Sequence, residues 1–343
     1  MKKTKGVYGV VITAALSAIL MLVLVISSVR FERTDDKDAS VDPYQNDGEG
    51  NTYNFLIMGK DDAADLCDVI IIASYDTKKQ TIEAMQIPRD TYASYTSSSY
   101  RKLNGAVHSL GGVKEFAGFL EKNLGLHIDY YAVTDLDTIA RAVDKIGGVK
   151  ISIDEDMHYS DPYQNLFIDL KAGEHLLNGE ESNAFLRYRS GYVQGDIGRL
   201  DAQKIFVAAL AEKLITEVGA IEAANLALLF LNDIDTNLTP KDCGTLLAGI
   251  KDIELENISF FTIPGESVQT QGGAWYYVIN KEQAFNAIKT YFSPKLSVES
   301  FDSDELFTSE YQKSFNRIYN ARDVYKIKRY SAKDICQNGI KID

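Results

Sequence analysis

The sequence predicts an α/β or α+β domain with a central sheet, because short β-rich segments alternate with amphipathic helical segments. Two apolar strands, Tyr53–Gly59 and Asp68–Asp76, come first, and the turn "DTKKQ" leads to an alternating third strand, Thr81–Pro88. The same patterns then predict helices at 111–126 and 136–148 and strands at 129–135 and 149–153.

The second half of the compact region is predicted to be mostly helical. A long amphipathic helix covers Leu200–Val218, further helical spacing covers Ala223–Leu231, and a returning strand covers Ile258–Ile263. The segment "KEQAFNAIKTYF" ends this region, which we place at residues 53–292. Residues 293–343 are polar with scattered aromatic residues and are expected to form a C-terminal tail.

The N-terminus predicts a membrane anchor. The uncharged run Gly6–Val29 is long enough to cross a bilayer core of about 30 Å at about 1.5 Å per residue. Lysines at positions 2, 3 and 5 favour a cytoplasmic N-terminus. The alternative is a cleaved signal peptide, but its apolar region spans only about 7–15 residues, and "ISSVRF" is a poor cleavage site. We therefore expect a single-pass anchor in residues 1–29 and a polar, acidic stalk in 30–52. The domain that follows is expected to be extracellular at the cell membrane.

Composition narrows the class of protein. The chain has 343 residues, a formal net charge of −13 and a pI near 4.9, which argues against a nucleic-acid partner. Its three cysteines, Cys67, Cys243 and Cys336, show no CxxC spacing, so neither a zinc site nor a disulfide framework is indicated. Each is interpreted as a small buried apolar residue.

Arginines are concentrated in the segment "AFLRYRSGYVQGDIGRLDAQ". Arg187 and Arg189 share a side if their backbone is extended and diverge if it is helical. Arg199 and Gln203 are four residues apart and share a helix face. A solvated loop with ordinary salt bridges would explain the pattern, and so would an anion site. Arginine matches phosphate oxygens bidentately, and helix starts attract anions.

Carboxylates follow the first predicted strand. Asp61 and Asp68 flank a loop that also contains Asp62 and Asp65. Such oxygen ligands suit Mg²⁺, which takes one or two carboxylates and completes its shell with water and phosphate. The alternative is a solvated acidic turn.

A second polar group follows the third predicted strand. Pro88 ends strand pairing, so Arg89 and Asp90 project from the strand end. An adjacent ion pair at a turn is the alternative interpretation. Lys102 and Asn104 are further polar candidates. Carboxylates for a metal and several arginines together suggest a site that handles pyrophosphate.

The order of these motifs resembles the LytR–CpsA–Psr family of bacterial cell-envelope proteins. The motifs that carry the resemblance are "FLIMGKD", "CDVIIIASYD", "IPRDTY", "KLNGAVHSLGG", "IDYYAVTD", "DKIGGVKISI", "LNGEESNAFLRYR", "GDIGRLDAQ" and "FTIPGE". They extend from about Asn54 to Glu266, which is most of the predicted domain.

The resemblance implies an α/β/α sandwich with a mostly buried mixed sheet and a phosphotransferase activity. Such an enzyme attaches a polyprenyl-pyrophosphate-linked glycopolymer, such as teichoic acid or capsule polysaccharide, to peptidoglycan through a phosphodiester, assisted by Mg²⁺ or Mn²⁺. It implies metal-associated carboxylates at Asp61 and Asp68. The residues implied to bind or act on pyrophosphate are Arg89, Asp90, Lys102, Asn104, Arg187, Arg189, Arg199 and Gln203.

The sequence departs from the family pattern in the loop that joins the first two strands. "GKDDAADLCD" is short and lacks arginine, with Ala63 where arginine is common and Cys67 where serine is common. Asp62 or Asp65 could therefore share the metal role. A non-catalytic envelope regulator, in line with the family's old label of transcriptional attenuator, and a polyprenyl-pyrophosphate-glycan pyrophosphatase remain alternative functions.

Two spatial expectations follow. Arg89, Arg187, Arg189 and Arg199 should converge on one point, since clustered arginines in an acidic protein need an anion between them. A polyprenyl chain needs an apolar groove beside them, for which Ala132, Val133 and the helix from Phe206 to Leu214 are candidates.

Overall fold

The computed structural model describes the folded part of the chain. The described residues are 52–61, 66–93, 101–162, 166–192, 196–218, 222, 226, 229–239, 242, 253–270, 272–294, 296–297, 301, 306 and 327–341. Within them, no helix has the length and apolar character that crossing a bilayer requires. The predicted anchor and stalk, and most of the predicted helix at Ala223–Leu231, lie outside the described residues.

Thirteen strands are formed by the described residues. They are β1 (Thr52–Asp61), β2 (Leu66–Asp76), β3 (Thr81–Ile87), β4 (Tyr130–Thr134), β5 (Val149–Ile153), β6 (Met157–Asp161), β7 (Leu166–Leu170), β8 (Gly173–Leu177), β9 (Asp235–Thr236), β10 (Ile258–Thr262), β11 (Gly265–Gln269), β12 (Trp275–Ile279) and β13 (Tyr330–Ser331). The six strands predicted from sequence are confirmed in β1 to β5 and β10.

Seven helices of the α type accompany them in the same part of the chain. They are α1 (Ala106–Leu110), α2 (Val113–Leu124), α3 (Leu136–Lys145), α4 (Gly179–Arg187), α5 (Asp196–Lys213), α6 (Lys281–Tyr291) and α7 (Ala332–Asn338). The helix predicted at Leu200–Val218 is confirmed. It starts one turn earlier, and its last residues, Leu214–Val218, adopt a π-helical turn.

The central sheet has seven strands in the order β13-β10-β3-β2-β1-β4-β9. It is mixed, since β1 pairs antiparallel with β2 but parallel with β4, and β3 pairs parallel with β10. In β2, every residue from Cys67 to Tyr75 is buried. Successive side chains of a strand point to opposite faces, so both faces of the sheet are covered.

A bulge interrupts the β1–β2 ladder beside the predicted metal loop. Lys60 pairs with Cys67 and Gly59 pairs with Val69, so Asp68 is the extra residue of β2. A bulge bends its strand and re-aims the side chain at that position, and bulges are common beside active sites. The local register therefore gives the Asp68 carboxylate an orientation that a regular ladder would not.

Local sequence signals set the helix ends. Asp135 caps α3 by accepting a hydrogen bond from the Thr138 amide, and Asn178 and Glu181 form a reciprocal capping box at the start of α4. Helix α2 ends at Gly125, whose φ of 63° is left-handed and strains any residue with a Cβ. The helix predicted at 111–126 is confirmed as α2, and the short helix α1 that precedes it was not predicted.

In the described residues, three two-stranded sheets lie outside the central one. The strand predicted at 149–153 forms as β5, but it pairs with β8 and not with the central sheet. Strands β6 and β7 pair with each other, and β11 pairs with β12. The β11–β12 hairpin matters for the site because its second strand also bonds to the segment after β3.

Residues beyond Ser293 contribute to the same domain. Strand β13 adds to the edge strand β10, with Phe260 paired to Tyr330. Ala332, Ile335 and Ile340 are buried in the core, as are Leu296, Phe301 and Leu306. The described part of the predicted C-terminal tail is thus packed, and its two-residue strand is too short to produce an alternating pattern in the sequence.

Candidate functional site

A buried ion pair joins the ends of β2 and β3. Arg89 Nη1 donates to Asp68 Oδ1 at 2.7 Å, and the Asp68 side chain is only 3% exposed. A carboxylate buried this deeply needs a cationic or hydrogen-bonding partner, because losing its hydration is costly. The structure thus brings together two predicted site residues that are separated by β2, a turn and β3.

A second ion pair extends the first toward solvent. Arg89 Nε lies 3.9 Å from Asp90 Oδ1, and Lys102 Nζ lies 2.9 Å from Asp90 Oδ2. Asp90 and Lys102 are each 24% exposed. Asp68, Arg89, Asp90 and Lys102 therefore form one alternating line of charges that runs from the core to the surface.

Backbone hydrogen bonds hold the two segments of this network side by side. The Asn104 amide donates to the Arg89 carbonyl at 3.0 Å, and the Leu103 amide donates to the Thr91 carbonyl at 2.9 Å. Lys102 also forms an antiparallel bridge with Tyr92. The predicted candidates Lys102 and Asn104 consequently belong to the same site as Arg89.

The β11–β12 hairpin supports the network from the other side. The Tyr277 amide donates to the Asp90 carbonyl at 2.9 Å, and the Tyr92 amide donates to the Tyr277 carbonyl at 2.8 Å. The Lys102 ammonium lies 5.7 Å from the centre of the Tyr276 ring, a cation–π arrangement. The sequence patterns did not identify these tyrosines as part of the site, because they follow Arg89 by almost 190 positions and carry no motif of their own.

Helix α5 carries the second half of the candidate site. Arg199 is 1% exposed and lies in the first turn of the helix, and Gln203 on the same face is fully buried. Gln86 Nε2, near the end of β3, donates to Gln203 Oε1 at 3.1 Å. Because Gln86 precedes Arg89 by three residues, this bond joins the Arg89 strand end to the Arg199 helix.

Both amide groups in this contact have unused hydrogen-bonding capacity. Gln203 Nε2 and Gln86 Oε1 are buried and have no hydrogen-bond partner in the part of the chain that the structure describes. A buried polar atom of this kind is costly unless a partner reaches it. The contact therefore has room for one further donor and one further acceptor.

A neighbouring polar contact fixes the same helix to the sheet. Lys204 Nζ donates to Thr262 Oγ1 at 2.9 Å and to Asp201 Oδ1 at 2.7 Å. Thr262 of β10 lies directly opposite Gln86 of β3 in the sheet. These two neighbours bond to two consecutive residues of α5, Gln86 to Gln203 and Thr262 to Lys204. Burial lowers the pKa of Lys204, and the attraction of Asp201 opposes that shift. The sequence contained one signal for this contact, the polar run "DAQK" inside an otherwise apolar helix.

Arg187 and Arg189 lie at the end of α4. Arg187 is the last helical residue and is partly buried, whereas Arg189 follows it and is exposed. Tyr188 between them has extended backbone angles, φ −66° and ψ 134°, so the "RYR" segment is half helical and half extended. The rings of Phe185 and Phe206 pack 6.4 Å apart and join α4 to α5. Convergence of all four guanidinium groups stays a prediction.

The metal hypothesis is compatible with the donor chemistry at the β1–β2 corner. Asp61 ends β1 and pairs with Leu66, which precedes Asp68 by two residues. Residues 62–65 are not among the described residues. Among described residues, no group of three or more histidine, cysteine or acidic side chains is arranged for a metal. Mg²⁺ needs only one or two protein carboxylates when water and phosphate complete its shell. A metal site at Asp61 and Asp68 stays a prediction.

The residues proposed for a lipid groove are buried. Ala132, Val133 and the apolar residues between Phe206 and Leu214 all belong to the hydrophobic core. A groove beside them stays a prediction. Cys67 is buried as expected, and burial together with Glu212 raises the pKa of the partly buried Cys336 to about 12.

Relatives of known description share most of this domain. "Regulatory protein MsrR" of Staphylococcus aureus is 29% identical over 280 residues, which are 77% of this chain and 82% of that protein. "Polyisoprenyl-teichoic acid--peptidoglycan teichoic acid transferase TagV" of Bacillus subtilis is 31% identical over 195 residues, 54% of this chain and 50% of that protein.

Solved structures show the same fold. The crystal structure of B. subtilis TagV matches with a TM-score of 0.59 at 25% identity, covering 74% of this chain and 98% of that one. Protein gbs0355 from Streptococcus agalactiae matches with a TM-score of 0.66 at 20% identity, covering 78% and 96%. The model of the LytR_cpsA_psr family matches residues 20–292. The chain is therefore a member of the LytR_cpsA_psr family.

Proposed function

We propose that the protein transfers a glycopolymer from a polyprenyl pyrophosphate carrier to peptidoglycan and forms a phosphodiester. Family membership and the similarity to TagV, and to "Polyisoprenyl-teichoic acid--peptidoglycan teichoic acid transferase TagU" of Bacillus cereus at 25% identity over 251 residues, support a transferase of this class. The observation that carries the proposal is the Gln86–Gln203 hydrogen bond, because it joins the strand that leads to Arg89 to the helix that carries Arg199.

The arginines supply the affinity for pyrophosphate. A guanidinium group donates two parallel hydrogen bonds to phosphate oxygens and keeps its charge at any physiological pH. Arg199 is held in the first helical turn and buried, and Arg89 is held by Asp68. Fixed cations of this kind stabilise charge that develops on phosphate oxygens as the bond breaks, without reorganising during the reaction.

In the proposed reaction, a hydroxyl oxygen of peptidoglycan bonds to the phosphorus that carries the glycopolymer. The bond from that phosphorus to the bridging oxygen breaks, and polyprenyl phosphate leaves. Asp90 is the proposed acceptor of the hydroxyl proton, because it is partly exposed whereas Asp68 is buried against Arg89. Lys102 orients Asp90 from the solvent side.

We propose Asp61 and Asp68 as the residues that would hold Mg²⁺ or Mn²⁺. The ion would supply charge neutralisation at the phosphate oxygens. The bulge in β2 supports this proposal, because it changes the direction of the side chain at position 68. The absence of arginine from the neighbouring loop leaves the binding of phosphate to Arg89, Arg187, Arg189 and Arg199.

The proposed location is the outer face of the cell membrane. The support comes from the sequence alone: an uncharged run follows N-terminal lysines, and a polar segment separates it from the domain. The α/β/α arrangement proposed for the domain agrees with the covering of the sheet on both faces.

Two alternative functions are separated by one experiment. The name of MsrR supports a regulatory role, and a pyrophosphatase would use the same arginines with water as acceptor. The assay measures polyprenyl phosphate released from a lipid-pyrophosphate glycan with and without peptidoglycan, each with and without Mg²⁺. Release that requires the acceptor supports transfer, release without it indicates hydrolysis, and no release under any condition indicates a non-catalytic protein.

A further inference from the structure

The segment between the two groups of arginines contains a buried phenol that the proposed reaction has not yet used. Tyr192 packs against the hydrophobic core, yet its hydroxyl oxygen is buried and has no hydrogen-bond partner in the described part of the chain. A hydroxyl that loses water without gaining a partner destabilises the fold. An unsatisfied group of this kind beside a candidate site calls for a ligand that satisfies it.

The phenol is held in a fixed position. Its ring meets the Tyr188 ring edge to face, with centroids 5.4 Å apart and an interplanar angle of 88°. The Tyr192 amide donates to the Arg189 carbonyl at 3.2 Å. Gly191 permits this turn, because a Cβ at that position would lie 2.3 Å from the Tyr188 hydroxyl oxygen.

Its charged neighbour is Arg199. Burial raises the pKa of the Tyr192 phenol above its ordinary value, Tyr188 adds to the shift, and the Arg199 cation opposes it. The phenol is therefore protonated at neutral pH and available as a donor, close enough to Arg199 to sense its charge. Arginine only donates hydrogen bonds, and the protonated phenol can donate as well, so both groups can donate to one acceptor that lies between them.

The same helix face adds a third donor. Gln203 lies one helical turn after Arg199, and its Nε2 atom is likewise buried with no partner among the described residues. The phenol hydroxyl and the amide nitrogen need acceptor oxygens, and the Arg199 guanidinium supplies positive charge near the phenol. A phosphate or pyrophosphate group provides these oxygens, whereas a neutral sugar hydroxyl offers both donor and acceptor.

We propose that Tyr192 is a further pyrophosphate-binding residue, whose hydroxyl donates to a phosphate oxygen held by Arg199. This inference rests on the proposed function and adds a residue outside the arginine and carboxylate motifs. Tyr192 would preorganise the anion in the ground state and during transfer.

The test is Tyr192→Phe, which removes one oxygen atom and keeps the ring. Inorganic pyrophosphate is the probe, with its affinity for the full-length chain measured by calorimetry and the melting temperature measured without ligand. A hydrogen bond to a charged group predicts a loss of affinity of roughly 10-fold or more. The melting temperature should stay the same or rise, because an unsatisfied buried hydroxyl is removed.

Tyr75→Phe is the matched control. Its hydroxyl is also buried, but it accepts from Gln80 at the opposite end of β2 from Asp68, so its removal should leave pyrophosphate affinity unchanged. Arg199→Met tests the site itself. Wild-type affinity in Tyr192→Phe, with affinity lost in Arg199→Met, would overturn the role of Tyr192 and keep the proposed site. Failure of the wild-type chain to bind pyrophosphate would overturn both. A drop in melting temperature with unchanged affinity would assign Tyr192 a purely structural role.

Discussion

The Arg89 guanidinium is hydrogen-bonded to the Asp68 carboxylate at 2.7 Å, across the ends of two neighbouring antiparallel strands. Asp68 is the bulged residue of its strand, and Arg89 follows the proline that ends the next one. Without its partner, each group would be a charge with little access to water, which is energetically costly. Together they form a buried pair in which each charge compensates for the lost hydration of the other.

Removing one member of this pair should be more damaging than removing both. Arg89→Met leaves the Asp68 carboxylate buried without its cation, and we expect a loss of about 3 kcal/mol in the free energy of unfolding. The double variant Asp68→Asn/Arg89→Met should cost less than the sum of the two single changes, because each single change leaves one buried ion and the double variant leaves none. Urea unfolding of the four proteins measures the coupling, and strict additivity would show that the pair contributes nothing.

Asp68→Asn should also abolish transfer with the fold retained. The amide keeps the shape of the carboxylate but removes its charge, which both Arg89 and a divalent ion require. Turnover at limiting Mg²⁺ is the measurement. Wild-type turnover there would refute the role of Asp68, and Asp76→Asn, at the other end of β2, serves as the control.

The sequence predicted most of the central sheet because its strands are apolar and nearly continuous. Strands β2 and β3 were recognisable from 66–87 alone, since both are buried and bounded by a turn and by Pro88. The β6–β7 hairpin and the two-residue strand β13 were not recognised. These strands are defined by their pairing with other strands: β6 pairs with β7, and the short β13 pairs with β10.

The site was predictable in composition but only partly in arrangement. Arg89, Asp90, Lys102 and Asn104 follow one strand, and a backbone hydrogen bond and an ion pair bring them together. The Gln86–Gln203 contact could not be foreseen, because it joins residues 117 positions apart that show no common pattern. Its formation depends on how α5 packs on the sheet.

The C-terminal segment should be needed for stability. Ile335 of α7 is 3% exposed, so Ile335→Ala should lower the free energy of unfolding by about 2–5 kcal/mol. Lys333 on the same helix is exposed and pairs with Glu256 at the surface, so Lys333→Ala should change the free energy of unfolding far less than Ile335→Ala does. Chemical unfolding of the wild type and the two variants measures both changes in the free energy of unfolding. Equal effects would mean that the segment is not packed in solution.

Because of Lys204, the free energy of unfolding should vary with pH in the alkaline range. Burial lowers its pKa in the folded chain below the ordinary 10.5, so at pH values between the two the unfolded chain binds more protons. The destabilising effect of the buried charge is fully present below the lowered pKa and is lost as the pH rises toward 10.5. The free energy of unfolding of the wild type, measured relative to that of Lys204→Met, should therefore increase as the pH rises from the lowered pKa to 10.5.

Thermal unfolding of the two proteins from pH 7 to 10.5 measures this difference, and changes of other groups cancel in the comparison. A constant difference would show that Lys204 has the same pKa in both states. Activity at pH 7 gives a second measure: Lys204→Met loses the bond to Thr262, so α5 is held less firmly and transfer should slow.

Arg199 should be irreplaceable by another cation. Arg199→Lys keeps the positive charge, but an ammonium group cannot donate the paired hydrogen bonds of a guanidinium, and its shorter reach leaves a gap in a site that is 1% exposed. We expect transfer to fall by roughly 10²–10³-fold, as for the loss of one preorganised donor to a developing oxyanion. The control is Arg329→Lys, because Arg329 pairs with Glu83 on β3 at a partly exposed position far along the strand from Arg89. If Arg199→Lys retained wild-type transfer, charge alone would account for the role of Arg199, and the bidentate contact with pyrophosphate would be refuted.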